Sequence, residues 1–329
     1  IARRQRQMCI RDSTDTALAH WKSKGLDLTP IFRKVTDKGP SRRIRGQDHG
    51  LDKALDQTMI ALAEGALEDA HPVTLELPVR NVNRTVGTLL GSEVTRRYGA
   101  EGLSEDTITV KLTGSAGQSL GAFLPPGVTI ELSGDANDYV GKGLCGGKIV
   151  VAPDPAAWFI AEDQVIAGNT ILYGATSGRV FLRGRVGERF SVRNSGATAV
   201  VEGVGDHACE YMTGGRVVIL GPTGRNMAAG MSGGIAFVYD LDPDKVNKAM
   251  VELMRPDPDD LRWLRDTIIE HTGLTGSAIG ASMLADWPRR CLAFTKVMPT
   301  DYKRVLDAAR MAEAEGRDVD SAIMEAARG

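Results

Sequence analysis

Residues 206–210 hold the densest group of possible metal ligands, namely Asp206, His207, Cys209 and Glu210. Side chains alternate faces along an extended strand, so His207 and Cys209 could point to the same side. A zinc site needs three or four ligands that converge on one point, and two ligands do not meet that requirement. The alternative is a corner of a β-structure whose polar side chains satisfy backbone groups. We therefore predict no metal-binding residue here.

Residues 141–146 have the sequence Gly-Lys-Gly-Leu-Cys-Gly and match the G-x-G-x-x-G pattern of dinucleotide-binding proteins. The pattern binds a pyrophosphate where a strand precedes it and a helix follows, because the helix N-terminus supplies amide groups and a dipole. Here a strand-like run, Lys-Ile-Val-Val, follows Gly147. We therefore predict no cofactor-binding residue in this segment.

Two segments match G-x-S-x-G, which places a nucleophilic serine on a sharp turn between a strand and a helix. They are centred on Ser119 and Ser232. Pro125 and Pro126 follow Ser119 closely, and a strand-like run follows Ser232, so neither context fits. Glycine-rich corners explain both matches, and we predict no catalytic residue.

Two charged groups also have structural explanations. Asp257, Asp259 and Asp260 resemble a carboxylate site, but they precede a helical pattern, where they would complement the helix dipole. The basic run Ser41–Arg45 is too short to indicate nucleic-acid binding in a chain of balanced charge. The residues themselves therefore indicate no reaction.

The elements that would carry these residues follow a repeat. Six short β-branched runs each begin after a glycine; the glycines are Gly127, Gly147, Gly178, Gly196, Gly215 and Gly234. The last four follow one another at nearly equal intervals of about 19 residues, and the first two are separated by a similar interval. A near-fixed period of this size is typical of stacked supersecondary units.

Apolar residues recur at one phase of this repeat. The pairs are Val180 and Leu182, Ala199 and Val201, and Val218 and Leu220, with Phe190 and Val192 as a half-coil set. Polar residues favour the other phase, and the exceptions are Phe181, Val200, Val217 and Ile219. We expect the exceptions to lie under a covering element, while the regular pairs stack inward.

The period predicts a right-handed parallel β-helix at residues 73–240, with coils of about 19 residues and glycines at the corners. A β-hairpin meander is the competing interpretation. Its strongest signal would be Asn-Gly or Asp-Gly turns, and residues 127–239 contain none.

The flanking segments have helical patterns. Residues 1–13 resemble a translated sequencing adaptor, and residues 14–72 are predicted to be a linker with helices at 14–25 and 51–67. Residues 241–329 are predicted to be a helical cap that covers the open end of the coil. Its predicted helices are 243–254, 258–271, 277–287, 300–314 and 319–327, with N-caps at Asp242, Asp257, Thr300 and Asp318.

Composition restricts the partners and the compartment. The 329 residues include 40 basic and 42 acidic side chains, and a net charge of −2 gives no support for nucleic-acid or anionic-membrane binding. The longest uncharged stretch, 112–130, contains glycines and prolines and is a poor membrane helix. The cysteines Cys9, Cys145, Cys209 and Cys291 form no C-x-x-C pair, which favours a reducing cytoplasm, with Cys145 and Cys291 as small buried residues.

Longer segments resemble a known family. The chain resembles the C-terminal domain of the glutamate synthase large subunit, called the GXGXG domain, most clearly at Gly168–Gly178 and Gly187–Gly215. Further matching segments are Gly46–Gly50 with Leu55 and Asp56, Asp138–Gly147, Met227–Gly234 and Lys296–Val305. One departure is Ala208, where the family pattern has Gly, which affects the local corner geometry. The resemblance covers residues from about Thr14 onward and implies a right-handed β-helix.

The resemblance also implies a parent enzyme. Glutamate synthase is an iron–sulfur flavoprotein in which an amidotransferase domain hydrolyses glutamine and passes ammonia to an FMN-bearing barrel, where 2-oxoglutarate becomes glutamate. The amidotransferase nucleophile is an N-terminal Cys and the cluster is held by a Cys trio, and neither matches a position of this chain. We therefore expect no cofactor in this segment. The expected partners are the amidotransferase and FMN domains of the same subunit, and a small reductase subunit.

These observations lead to one hypothesis and two alternatives. The hypothesis is a scaffold domain that fixes the separation of the amidotransferase and FMN domains, in ammonia assimilation. One alternative is a stand-alone β-helix subunit of another redox complex, similar to the β-helical subunit of formylmethanofuran dehydrogenase. The other is a separate ammonia-handling or glutamine-binding module.

Overall fold

The computed structural model describes residues 42–328. Predictions for residues 1–13, the helix at 14–25 and Cys9 lie outside these residues. The chain divides into a unit at 1–51 and a compact unit at 52–329. In the first unit, residues 42–49 are exposed, and the Gly50 N–H donates a hydrogen bond of 2.8 Å to the Asp48 side chain.

Helices and strands of the compact unit follow one another in three groups. The first contains a 3₁₀ turn Leu51–Lys53, α1 Leu55–Leu62, α2 Glu64–Asp69, β1 Val73–Val79 and α3 Thr88–Tyr98. The second contains β2 Ile108–Ala116, β3 Val128–Ala136, β4 Cys145–Ala152, β5 Val165–Ala167, β6 Ser177–Val186, β7 Ser195–Gly203, β8 Thr213–Ile219 and β9 Gly233–Tyr239. The third contains β10 Val251–Met254, α4 Pro258–Thr275, α5 Ala278–Ala285, α6 Trp287–Arg290, β11 Phe294–Pro299, α7 Thr300–Ala314 and α8 Val319–Ala327. Further 3₁₀ turns are Ala161–Asp163, Pro243–Lys245 and Cys291–Ala293.

A parallel β-solenoid of about seven turns forms the centre of the unit, as the period predicts. The strands pair in the order β1-β2-β3-β4-β6-β7-β8-β9, all parallel, and short β5 pairs with β3 and β6. Every interior strand therefore has both edges paired, which satisfies its backbone N–H and C=O groups.

Two rows of apolar side chains point into the coil, one residue from each strand. One row is Leu75, Val110, Ile130, Ile149, Val180, Ala199, Val217 and Ala236; the other is Leu77, Leu112, Leu132, Val151, Leu182, Val201, Ile219 and Val238. Both rows belong to one core cluster. The stacking of Val180 with Ala199 and of Leu182 with Val201 is confirmed.

The prediction that Val218 and Leu220 point inward is wrong by one residue. Val217 and Ile219 occupy the inward positions, because the register between β7 and β8 shifts by one residue within the strands, between Ser195 and Thr198, and Ala199 therefore pairs with Val217. A one-residue shift moves every side chain of a strand to the other face.

The expected covering element lies on the outer face of the later coils. Phe181, Val200 and Val218 are buried there in a second cluster. Leu264 and Ile268 of α4 complete this cluster. Phe181 and Val200 thus break the alternation for the predicted reason, whereas Val217 and Ile219 are regular inward residues.

The predicted helix at 51–67 is two helices, α1 and α2, that meet at Ala63. Met59 of α1 and Ala66 of α2 are buried in the solenoid core cluster, so both helices pack along the first coils. Leu62 is exposed, because the break at Ala63 turns the end of α1 away from the core.

The predicted helix at 243–254 is wrong. Asp242 caps only a short 3₁₀ turn, and β10 pairs antiparallel with β11, which itself pairs antiparallel with β9. Pairing with a distant strand overrides local helical spacing here. The cap therefore also contains strands, and β11 covers the last edge of the solenoid.

Three of the four predicted N-caps are confirmed. Asp242, Asp257 and Asp318 each accept a backbone N–H bond at the start of a helix. Thr300 is wrong as a cap, because Pro299 occupies the N-cap position of α7 and makes no side-chain bond. Among the described residues, no helix is both long and apolar enough to cross a lipid bilayer.

Candidate functional site

The structure separates Cys209 from the other possible metal ligands at 206–210. The Cys209 thiol is fully buried in the solenoid core, and burial raises its pKa to about 12. The His207 ring is partly exposed, with Nδ1 3.1 Å from the Asn226 amide and 3.4 Å from the Glu210 carboxylate. Asp206 pairs with Arg225. In the described part of the chain, no three His, Cys, Asp or Glu side chains are grouped to hold a metal ion.

The G-x-G-x-x-G segment forms a corner of the solenoid. Gly141 and Gly143 both have a φ of +64°, and a Cβ at Gly143 would lie 2.4 Å from the Phe123 ring. Strand β4 begins at Cys145, so the segment is not followed by the helix that a pyrophosphate site requires. The Cys145 thiol is half-buried, and burial raises its pKa.

Neither serine of the G-x-S-x-G matches occupies a nucleophile turn. Ser119 has a φ of +64° at a corner, and its N–H donates to the Asp138 carbonyl over 2.9 Å. Ser232 is exposed directly before β9. Both are followed by coil or strand rather than by a helix.

The Asp257 cluster caps α4. The Asp257 side chain accepts from the N–H groups of Asp259 and Asp260 over 2.9 and 2.8 Å, and the Asp260 side chain accepts from the Asp257 N–H. Asp260 also contacts Lys296 Nζ at 2.6 Å. The carboxylates thus have structural partners, as the helix-dipole explanation predicts. Cys291 is buried next to α6.

A buried polar contact joins the solenoid to α4. Glu202 of β7 accepts a hydrogen bond from the Ser277 hydroxyl, and Glu202 Oε1 lies 3.6 Å from His271 Nε2. All three side chains are fully buried, and the Phe181 ring stacks on the His271 ring at 6.2 Å. Ser277 also caps α5 through the Gly280 N–H.

These three residue types resemble a hydrolytic triad, but their arrangement does not act as one. The Ser277 hydroxyl bonds to the carboxylate rather than to the imidazole, whereas a triad serine bonds to histidine. Neither nitrogen of His271 has a hydrogen-bond partner in the described part of the chain. The contact fixes α4 on the solenoid and has no opening for a substrate.

An ionic network lies beside this contact. Lys148 Nζ of β4 is 2.9 Å from both Glu105 and Asp106, and Arg179 of β6 bridges Glu105 to Glu270 of α4. The network connects two coils, the turn before β2 and α4. It adds a second fixed connection between the solenoid and its covering helix.

Asp56 forms the best-satisfied buried carboxylate near the first coil. Its Oδ1 accepts from the N–H groups of Gly87, Leu89 and Leu90 at 2.8 to 3.1 Å, at the N-terminus of α3. The side chain is almost fully buried. Burial raises the pKa of Asp56, and the bonds from Leu90, Gly87 and Leu89 oppose that rise in part. Asp56 therefore locks α1 to α3.

The Asp56 carboxylate gives a pH-dependent prediction. In the folded protein the pKa of Asp56 is raised above the usual value of 3.8. The protonated carboxyl group therefore stabilises the folded state fully below pH 3.8, and this stabilisation is lost as the pH rises through the folded pKa. Asp56→Asn, which keeps one acceptor oxygen, should lose more stability relative to the parent protein at pH 4 than at pH 7. Urea unfolding of both proteins at the two pH values measures this difference.

Asp56→Ala provides the matched comparison, since it removes every acceptor. It should lower the free energy of unfolding by about 2 kcal/mol at pH 7, because buried N–H groups lose their partner. If the loss of unfolding free energy in Asp56→Asn were larger at pH 7 than at pH 4, the sign of the pKa shift would be wrong.

An apolar loop between β4 and β5 was not identified from the sequence. Trp158 at its tip is almost fully exposed, followed by the exposed Ile160. Its base borders a groove of about 560 Å³ lined by Lys111, Arg183 and Pro153, among others. The signal that could have revealed the loop is the interval between Gly147 and Gly178, which is longer than every other interval of the repeat.

The described residues do not fit the cofactors that the resemblance implies for the parent enzyme. An iron–sulfur cluster needs several thiolates around one point, whereas Cys209 lies in the core and no described group has three such ligands. The glycine segment that could accept a flavin phosphate is a solenoid corner followed by a strand.

Comparison with known proteins gives consistent matches. The model of the GXGXG motif family matches residues 56–300. The chain is 50% identical over 312 residues, 92% of its length, to glutamate synthase [NADH] of Schizosaccharomyces pombe, and the match spans 15% of that protein. It is 44% identical over 321 residues, 96% of its length, to the glutamate synthase [NADPH] large chain of Bacillus subtilis, spanning 21% of it.

A plant protein gives a similar match. The chain is 42% identical over 312 residues, 92% of its length, to the chloroplastic ferredoxin-dependent glutamate synthase of Spinacia oleracea, spanning 19% of it. The chain thus spans about a fifth of the length of these relatives, or less.

Proposed function

The chain belongs to the GXGXG family as a C-terminal domain of the glutamate synthase type, and from that premise we propose that it is a scaffold within a glutamate synthase large chain. In the proposed role, it holds the amidotransferase and FMN domains at a fixed separation. Ammonia released from glutamine then reaches 2-oxoglutarate without escaping to water, and two glutamates form with electrons from a reductant. FMN and the iron–sulfur cluster belong to other parts of that enzyme.

The observation that carries this proposal is the stack of eight parallel strands with two continuous inner rows. Neighbouring strands are about 4.8 Å apart, so seven steps give a rod of roughly 34 Å. Close-packed interiors resist compression, and therefore such a rod keeps its length. Helix α4 and its buried polar contact stiffen the later coils further.

A change of rod length tests the proposal. Duplicating residues 115–134 in the full-length enzyme adds one coil and should move the two ends apart by about 4.8 Å. We expect glutamine hydrolysis to continue while free ammonia appears and glutamate formed per glutamine falls. The measurement is the molar ratio of ammonia released to glutamate formed.

The control inserts Gly-Ser after Gly99, an open turn in which a Cβ would contact no atom within 4 Å. This variant lengthens the chain without adding a coil and should keep the normal ratio. Unchanged coupling in a folded coil-duplication variant would refute the scaffold role.

Titration of glutamine, 2-oxoglutarate and FMN against the 329-residue chain should give no binding, whereas measurable binding would favour the glutamine-binding module.

A further inference from the structure

The exposed loop between β4 and β5 carries Trp158, which has the highest exposed fraction of the large apolar side chains in the described part of the chain. Trp158 is 96% exposed, Ile160 59% and Val165 of β5 65%. Phe159 lies between the first two and is also exposed. Grouped aromatic and aliphatic side chains of this kind are characteristic of a protein interface, whereas isolated ones are common on any surface.

Strands β4 and β6 pair with each other directly, without the loop between β4 and β5. Ile149 of β4 pairs directly with Val180 of β6, so the coil closes across the loop. Along the inner row from Val110 onward, neighbouring residues are about 19 positions apart in the sequence. The step from Ile149 to Val180 is the exception and is more than one and a half times as long. The additional residues leave the coil, reach Trp158 and return through the short strand β5.

The surface beside the loop is charged. The groove at its base is lined by Lys111, Glu131 and Arg183, with Pro153 and Pro155 from the loop itself. An apolar centre with a charged rim is the usual composition of a protein–protein contact. The groove shares Pro153 and Pro155 with the loop, so the groove and the loop are adjacent.

We propose that residues 153–160, the Trp158 loop, dock into an apolar pocket on another domain of the same polypeptide, with Trp158 as the anchor. This inference rests on the proposed function. The length of the relatives indicates what the loop docks against. The chain matches only 15% of one relative and 21% of another, so most of each relative's polypeptide lies outside the matched part. A tethered domain has a high effective concentration, which favours it over a second copy of the chain.

Footprinting of the tryptophan tests the docking. Oxidative labelling of Trp158, read by peptide mass spectrometry, should be at least about tenfold slower in the full-length enzyme than in the 329-residue chain, since interface anchors lie in desolvated pockets. Equal labelling in the two proteins would overturn the proposal. The measurement uses unmutated protein, and slow labelling of the buried Met212 in the same sample shows that the 329-residue chain is folded.

The other occupants give different outcomes. If protection of Trp158 in the 329-residue chain rises with the chain's concentration, a second copy covers the surface. If Trp158 is protected there at every concentration, the same chain covers it. Either result overturns the proposal.

Trp158→Ala in the full-length enzyme should speed protease cleavage of the loop by about tenfold, whereas Leu292→Ala, another highly exposed apolar residue, should not.

The two proposals can fail separately. If the coil duplication leaves ammonia transfer coupled while Trp158 is protected, the loop docks but the scaffold role is wrong. If Trp158 labels equally in both proteins while the duplication uncouples transfer, the scaffold role stands and the docking surface is elsewhere.

Discussion

Gly134→Ala is expected to destabilise the solenoid by at least about 4 kcal/mol, enough to reduce the yield of folded protein sharply. Gly134 of β3 has a φ of +146°, and a Cβ there would lie 1.9 Å from the Gly114 carbonyl oxygen of the preceding coil. Two parallel strands would have to separate at a point where both are paired in register. Denaturant unfolding followed by circular dichroism measures the loss.

Gly174→Ala is the control for a glycine of positive φ that makes no contact between coils. Gly174 also has a positive φ, +66°, but a Cβ there meets no atom within 4 Å. It should lose only about 1 kcal/mol, the usual penalty for a left-handed alanine. Equal losses for the two variants would show that conformation, rather than contact between coils, determines the effect at Gly134.

The solenoid could be predicted from the sequence because each coil repeats the same physical requirement. Val180 and Ala199 face the core at the same strand position, so their spacing reveals the coil length directly. The exact register between neighbouring strands was harder to predict from the sequence. A register shift within a strand pair, here between Ser195 and Thr198, changed which residues of β8 face inward and left the glycine interval unaltered.

The strand β10 could not be predicted locally, because its partner is distant in the sequence. Val251 pairs with Pro299 and Met254 with Lys296, more than forty residues away. The segment carries Asp242 and Pro243, a correct start signal, yet the helix ends after one 3₁₀ turn. A cap signal indicates where a helix can begin but not how far it extends.

The polar contacts of the candidate site depend on tertiary structure in the same way. Asp56 meets the start of α3 from 31 residues away, and Glu202 meets Ser277 from 75 residues away. No spacing rule connects such residues. The Trp158 loop was different, since its length was visible as an interruption of the glycine period.

Lys296→Ala is expected to lower the free energy of unfolding by about 3 to 5 kcal/mol, because it leaves a buried carboxylate without its counter-ion. Lys296 Nζ lies 2.6 Å from Asp260 Oδ2 and 3.8 Å from the Asp257 carboxylate, and both Lys296 and Asp260 are buried. The pair connects β11 to the start of α4, which covers the outer face of the solenoid. Urea unfolding at pH 7 measures the loss.

Lys303→Ala is the matched control, because Lys303 pairs with Glu252 at 2.9 Å in a partly exposed position. An exposed pair contributes about 0 to 1 kcal/mol, so this variant should differ little from the parent protein. Lys296→Met combined with Asp260→Asn should recover much of the loss, since the asparagine keeps an acceptor for the Asp257 N–H and carries no charge. If Lys296→Ala and Lys303→Ala lost equal stability, the energetics of α4 docking would come from the apolar cluster around Leu264 and Ile268 and not from the buried ion pair.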